Sequence, residues 1–428
     1  MPQILPIRGL RYTPAAGAID DLLAPPYDVI TPSQQKALES RNEHNAVFLE
    51  LAEGGEERYS HVAQLLDNWE TSGVLHRDDA PMFYVYEQEF LEAGQTYRRR
   101  ALIAGVEAQP WEAGAVKPHE FTMSGPKEDR LKLLQATRTQ LSPVFMIARD
   151  RAGQLSQFLE MTIASRNADV SGTTIDGDRH RLWLVEASRY ELRQLAPLLA
   201  ESFYIADGHH RYETAVTYRQ ALAAKEGALP GDHPARFAMT AIVAADDPGL
   251  VIRPIHRIVP RRAPANWQAL LEQHFELTIV QTSEPASAQT LEKILADTPG
   301  AIVALNLAPG GFQVLRPRED AVIQTPVPPG RSELWASIAP NVLRYGVLEP
   351  LWGITDDDLR AGAVEYTHDA AEVVSRLAKN PAETAFLLPP VKIGDVMALA
   401  DQGERMPQKS TFFHPKLGTG LVFHPLYP

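Results

Sequence analysis

A chain of 428 residues is too long for one ordinary hydrophobic core, so two or three domains are expected. Hydrophobic residues at 44% and charged residues at 22% are those of a globular protein, and the absence of cysteine excludes disulfides, thiolate metal sites, iron–sulfur clusters and cysteine nucleophiles. A net charge of −13 argues against a general DNA or RNA binder, since phosphate neutralisation drives such binding, but leaves room for a local basic pocket around a small phosphorylated ligand.

The start "MPQILPIRGLRY" has no basic stretch followed by an apolar one, so no secretory signal is expected. No apolar run approaches the roughly 20 residues that span a bilayer. A cytoplasmic, soluble protein with no membrane partner follows as the expectation. In "LLAPPYDVITPSQQKALES" an extended piece and a Pro-Pro turn lead into a helix with Thr31 as N-cap and Pro32 as first residue. "RYSHVAQLLDNWETSGVL" carries helical spacing and a glycine stop. "PMFYVYEQEFL" and "RRRALIAGVEAQ" read as paired strands joined by a turn in "EAGQTY". "VKPHEFTMSGPKEDRLKLLQATRTQLSPVFMIARD" is a polar loop, a basic amphipathic helix and a buried strand. "RLWLVEASRYELRQLAPLLAESFYIADGHHRYETAVTYRQALAA" alternates strand, helix, strand and helix. "ARFAMTAIVAADDPGLVIRPIHRIV" adds two strands across an Asp-Asp-Pro-Gly turn. The densest basic stretch, "IRPIHRIVPRR", reads as a solvated strand end and loop. Helices and strands alternate again from about residue 264, ending in the proline- and glycine-broken "MPQKSTFFHPKLGTGLVFHPLYP". The fold class is therefore α/β, mixed α+β and multi-domain, with divisions expected at 1–150, 151–315 and 316–428.

The most unusual stretch is Asp207-Gly208-His209-His210-Arg211. Phe203 to Ala206 is a short apolar strand, Gly208 a tight turn, and Ala215, Tyr218 and Leu222 mark one face of a following helix. The motif thus sits where a strand ends and a helix begins, a place whose N–H groups and dipole favour anions. Arginine suits a bidentate phosphate contact, and histidines add donors. Asp207 would act as a base, a hydroxyl-orienting group or a Mg²⁺ contact. Taken singly, Asp207 also reads as a helix cap, His209 as a partner of Glu213 and Arg211 as a surface residue. Adjacent histidines point about 100° apart, which disfavours a zinc site.

"ADGHHRYETA" resembles the signature of a bacterial and archaeal family known as domain of unknown function 1015. "PPYDVI", "HEFT", "DRL", "SPVF" and "MPQKSTFFHPKL" resemble it too, so the likeness covers nearly the whole chain. The five-residue motif is also similar to that of free serine kinases in the ParB/sulfiredoxin superfamily. That similarity implies a ParB/sulfiredoxin-like central part. It implies phosphate contacts for Gly208, His209, His210 and Arg211, and a catalytic or metal-linked role for Asp207. The separate catalytic glutamate of those kinases has no alignable position here.

Other segments supply candidates. His119 and Glu120 could form an acid–base pair, with Lys127 and Arg130 as anion contacts. Tyr27 and Asp28 lie in a rigid turn suited to substrate. Lys409, Ser410, Thr411 and Lys416 lie in an irregular, cation-bearing tail, where amides, hydroxyls and lysines suit phosphate or carboxylate. No Walker-type loop, dinucleotide-binding glycine motif or nucleophile elbow is present. The expected function is a small-molecule phosphotransferase using ATP or ADP with Mg²⁺ on a serine-like hydroxyl amino acid or related metabolite. The alternatives are a phosphomonoesterase, such as a phosphoserine phosphatase, and a non-catalytic nucleotide-binding switch.

Overall fold

The structure, a computed structural model, describes residues 3–121, 124–187, 195, 201–283, 286–318 and 328–428. The chain divides into two compact units of interrupted sequence. Met1–Pro118, Thr122–Val251 and Pro415–Pro428 form the first; His119–Phe121 and Ile252–His414 form the second. Positions 150 and 315, where the sequence suggested divisions, each fall inside a unit.

The first unit is built on a nine-stranded mixed sheet. Its strands are β1 (Ile4–Leu5), β2 (Met82–Glu92), β3 (Gln95–Glu107), β4 (Val116–Lys117), β5 (Val144–Ala148), β6 (Val170–Thr173), β7 (Arg179–Glu186), β8 (Phe203–Asp207) and β9 (Phe237–Ala244). Their order is β4-β8-β5-β9-β3-β2-β7-β6, with β1 added to β3. The β2–β3 hairpin closes through Ala93 and Gly94, both at positive φ, as the tight turn expected from "EAGQTY" requires. β5 and β9 are buried throughout, and apolar except for Thr240, because both faces are covered; they pair in parallel. One face packs Phe83, Val85, Leu102, Phe203, Ile205 and Ile242 into the main core.

The three longest helices described in this unit are α1 (Glu57–Thr71), α2 (Ser124–Thr137) and α3 (His209–Glu226). Val62, Leu66 and Trp69 on α1 share a second core with Leu133 of α2. Thr31 caps the helix Pro32–Glu39 through a reciprocal bond with Gln34, as the sequence indicated. The helix expected between β7 and β8 lies outside the described residues apart from Leu195.

The second unit holds a six-stranded antiparallel sheet. Its strands are β10 (His256–Val259), β11 (Phe275–Gln281), β12 (Ile302–Leu305), β13 (Gly311–Pro317), β14 (Glu365–Thr367) and β15 (Thr384–Leu387), in the order β11-β13-β12-β15-β10-β14. Here the sequence expectation needs correction. β10 is the heart of "IRPIHRIVPRR", yet all four of its residues are buried. Arg257 is not solvated; its guanidinium donates to the carbonyls of Ile255 and Lys409 and lies over the Tyr366 ring. Flanking arginines at 253, 261 and 262 concealed an apolar strand with one inward-facing cation. Among the described residues, no helix is long and apolar enough to cross a membrane.

The acidic turn after β9 carries a titratable group of its own. Asp247 accepts from the N–H of Gly249 at 2.8 Å and of Arg100 at 3.3 Å. A Cβ on Gly249 would come within 2.5 Å of the Arg98 and Arg99 backbone, so the turn lies flat on β3. Burial pushes the Asp247 carboxyl up to about 6, more than those hydrogen bonds lower it. The folded protein therefore holds this proton more tightly than the unfolded chain. The resulting stabilisation is complete below about pH 4 and is lost as pH rises through about 6. Asp247→Asn cannot ionise, and its altered hydrogen bonding is a constant offset. Relative to the parent, the variant should gain stability between about pH 4 and pH 7, by up to about 3 kcal/mol. Urea denaturation at both pH values checks this; an unchanged difference refutes it.

Candidate functional site

Asp207 ends β8 at an irregularity in the pairing with β5: Ile205 opposes Met146 and Asp207 opposes Phe145, leaving Ala206 as an extra residue. Gly208 follows at φ 88°, a left-handed conformation that suits glycine. α3 starts at His209, and the residue before it, Gly208, has no side chain with which to cap it. The simple capping role for Asp207 is thus not what the structure contains. Instead its Oδ2 receives Arg211 Nη2 at 2.5 Å, and its Oδ1 receives Lys416 Nζ. Arg211 also donates Nη1 to the carbonyl of Pro143 at 2.5 Å, which joins the "SPVF" segment to the motif. Its guanidinium folds back over the turn so closely that a Cβ on Gly208 would lie 3.0 Å from Nε.

Lys416 reaches this place because the tail is strapped to the sheet. Fully buried Arg99 donates to the carbonyl of Pro415 at 2.5 Å, and Gln88 donates to that of Lys416 at 3.1 Å. Thr419 pairs with Ala24 through two backbone hydrogen bonds, 2.8 and 3.1 Å long. That bridge brings "PPYD" alongside, with Asp28 Oδ2 3.8 Å from Lys416 Nζ.

Burial opposes every charge in the cluster, and the partners outweigh it. The Asp207 carboxyl would be raised by desolvation but is held well below the usual range by Lys416 and Arg211. Lys416 and Arg211 would be lowered by burial and are instead raised, chiefly by Asp207 and then Asp28. His210 is lowered, mainly by burial, which favours its neutral form. Asp207 is therefore a fixed anion and a weak base.

The remaining candidates of this unit are nearby and mostly paired. Tyr27 lies under the Arg130 guanidinium, 4.2 Å from carbon to ring centre, and burial pushes its phenol up to about 12. Arg130 is more committed than its place in the sequence suggests. It donates to Asp129 at 2.6 and 2.8 Å and to Glu50 Oε2 at 3.1 Å. Lys127 pairs with Glu213 at 3.0 Å, and Glu213 also accepts from Trp111, so Glu213 has these partners rather than only a histidine one turn away.

His119, Glu120, Lys409, Ser410 and Thr411 come together in the second unit. Glu120 Oε1 accepts from the N–H groups of Ser410 and Thr411, at 3.2 and 3.3 Å, and from the Thr411 hydroxyl at 3.2 Å. His119 Nε2 stands 2.9 Å from that hydroxyl and 3.7 Å from Glu120. Lys409 adopts φ 60° and offers its carbonyl to Arg257. The Glu120 carboxylate thus clasps a tight turn, and His119 is buried beneath it.

Three participants carry no clear mark in the sequence. Lys416 stands out there only as one cation of the tail. Glu50, in "VFLELAEGG", looks like an ordinary acidic residue at a helix end. Asp129, in "DRL", looks like part of a solvated helix face. None carries a local signal for its role, because a deciding partner of each lies 71 to 209 residues away: Arg58 for Asp129, Arg130 for Glu50 and Asp207 for Lys416.

No curated protein matches the chain. Solved structures resemble it distantly. A free serine kinase variant in complex with ADP is 14% identical at a TM-score of 0.36, covering 72% of this chain and 86% of that one. Truncated SbnI from Staphylococcus aureus is 12% identical at 0.36, covering 76% and 87%. A conserved hypothetical protein from Pyrococcus furiosus is 15% identical at 0.33, covering 73% and 93%. The profile of the family described as "Protein of unknown function (DUF1015)" matches residues 4–320, and the chain belongs to that family.

Proposed function

We propose that the β8–α3 junction holds the phosphates of a nucleotide and that the protein is a small-molecule phosphotransferase, with ATP or ADP as donor and a serine-like hydroxyl amino acid or related metabolite as acceptor. The observation that carries this reading is the meeting of Arg211 and Lys416 on Asp207 at the N-terminus of an 18-residue helix that opens on Gly208. Oriented amides, a helix dipole and two cations give a preorganised anion site. The motif's similarity to that of free serine kinases points the same way.

In the reaction, the acceptor hydroxyl oxygen bonds to the terminal phosphorus as the bond from that phosphorus to its bridging oxygen breaks. The nucleotide leaves one phosphoryl group shorter, and the hydroxyl proton passes to water. Arg211 and Lys416 offset the charge on the phosphoryl oxygens. Asp207 is a positioning residue that aims both cations, and its depressed pKa makes it a poor proton acceptor. Both its oxygens are matched to cations, and no group of three metal-ligating residues occurs among the described residues. This arrangement does not fit a resident Mg²⁺; the ion would enter on the nucleotide's own phosphates.

Three outcomes are expected. ADP or ATP with Mg²⁺ at about 100 times its dissociation constant should stabilise the protein by roughly 2.7 kcal/mol, read as a rise in melting temperature. No shift with any nucleotide at millimolar concentration would remove the kinase reading.

Substitutions at the junction should differ in sign. Arg211→Lys keeps the charge but loses the fork, so nucleotide affinity should fall by about tenfold. Asp207→Asn removes an anion from an anion site. It should bind nucleotide at least as tightly as the parent while melting lower, because two buried cations lose their partner. An unchanged melting temperature in Asp207→Asn would contradict the positioning role.

With a net charge of −13, the protein should show no appreciable affinity for random duplex DNA at physiological salt. Tight binding that collapses as salt rises would favour a DNA-binding switch instead.

A further inference from the structure

A cavity of about 270 Å³ lies in the first unit between α1, α2 and the residues around Glu50. Leu49, Val62 and Leu133 form its apolar wall, and Arg58, Arg130 and Asp129 its polar one. The arginines are matched: Arg58 donates to Asp129 at 2.7 Å, and Arg130 donates to Asp129 and to Glu50 Oε2. Glu50 is not. Its side chain is only 2% exposed, and among the described residues its Oε1 has no hydrogen-bond partner. A buried carboxylate oxygen left without a donor is costly, and native proteins rarely keep one without a reason. Glu50 and Arg130 also line a smaller pocket, of about 50 Å³, together with Arg211. The unmatched oxygen therefore belongs to the same neighbourhood as the proposed phosphate site.

We infer that this cavity is the acceptor subsite and that Glu50 Oε1 receives a hydrogen-bond donor of the bound molecule, an ammonium or a hydroxyl. The inference rests on the phosphotransferase reading for the word acceptor, but the binding site itself does not. The volume falls just under the roughly 300 Å³ at which drug-sized sites begin, so the cavity takes a metabolite of amino-acid size rather than a nucleotide. The local charges already balance, Glu50 and Asp129 against Arg58 and Arg130, which favours a neutral or zwitterionic molecule over a net ion. Such a molecule places its donor on Glu50 and its short carbon chain on Leu49, Val62 and Leu133.

The test is calorimetry on the full chain, with and without saturating ADP, using three probes at millimolar concentration. L-serine carries both donors, L-alanine only the ammonium and neutral propane-1,2-diol only hydroxyls. L-serine should bind, and whichever of the other two also binds identifies the group that meets Glu50. Glu50→Gln should weaken L-serine by roughly tenfold or more, with ADP affinity unchanged. Because Glu50→Gln also disturbs the Arg130 pair, Ala52→Leu provides a second route: it narrows the cavity without touching a charge and should cause a similar loss. Binding of ADP but of none of the three probes overturns the inference, as does parental L-serine affinity in both variants. Failure of ADP alone overturns the phosphotransferase reading, while L-serine binding lost in Glu50→Gln would still uphold the cavity as a binding site.

Discussion

The proposed phosphate site depends on one largely buried carboxylate held between two cations. Asp207 sits where β8 runs out, Arg211 reaches back to it from the first turn of α3, and Lys416 arrives from the end of the chain. Such a triad is a poor source of stability, since desolvating three charges offsets most of their attraction. It is a good source of geometry, because removing one member leaves the others buried and unmatched. The whole arrangement fixes two cations beside the start of a helix, and the proposed phosphate site rests on that placement.

The triad in turn needs support that has no charge of its own to offer. Gly208 supplies a backbone conformation and the space for the arginine to fold over it. Arg99 and Gln88, both buried in the β2–β3 hairpin, hold the tail by its carbonyls, so Lys416 is delivered by backbone contacts rather than by its own search. Arg99 is stripped of water, and burial lowers its pKa to about 10; it still carries a proton at neutral pH and can brace the tail. Polar groups in the sheet interior thus serve the site at a distance.

The second unit uses similar residue types to a different end. Glu120, His119 and Thr411 form a clasp around the turn at Lys409 and Ser410, with Arg257 beneath the same turn. In the first unit charged groups converge on a carboxylate at a helix start; in the second, a carboxylate collects backbone N–H groups and a hydroxyl. Both place acids among donors, but the first sets its cations at the start of a long helix.

The sequence by itself determined the local features. Thr31 caps a helix that begins at Pro32, the turn in "EAGQTY" closes a hairpin between two strands, and Asp207-Gly208-His209 marks a strand-to-helix junction. Each is decided by neighbours a few positions apart, and each appears in the structure where the pattern placed it. Tertiary structure alone decided what those features meet. Lys416 could be placed beside Asp207 only by tertiary bonds to the tail, from Arg99, Gln88 and Ala24, and Glu50 beside Arg130 only by the fold that brings the end of the helix Val47–Glu50 to α2. The basic run around Arg257 misleads because its composition shows charge but not which side faces the sheet. Periodicity reports the environment of an element; it carries no information on which distant element supplies the partner, and in this protein the partners make the site.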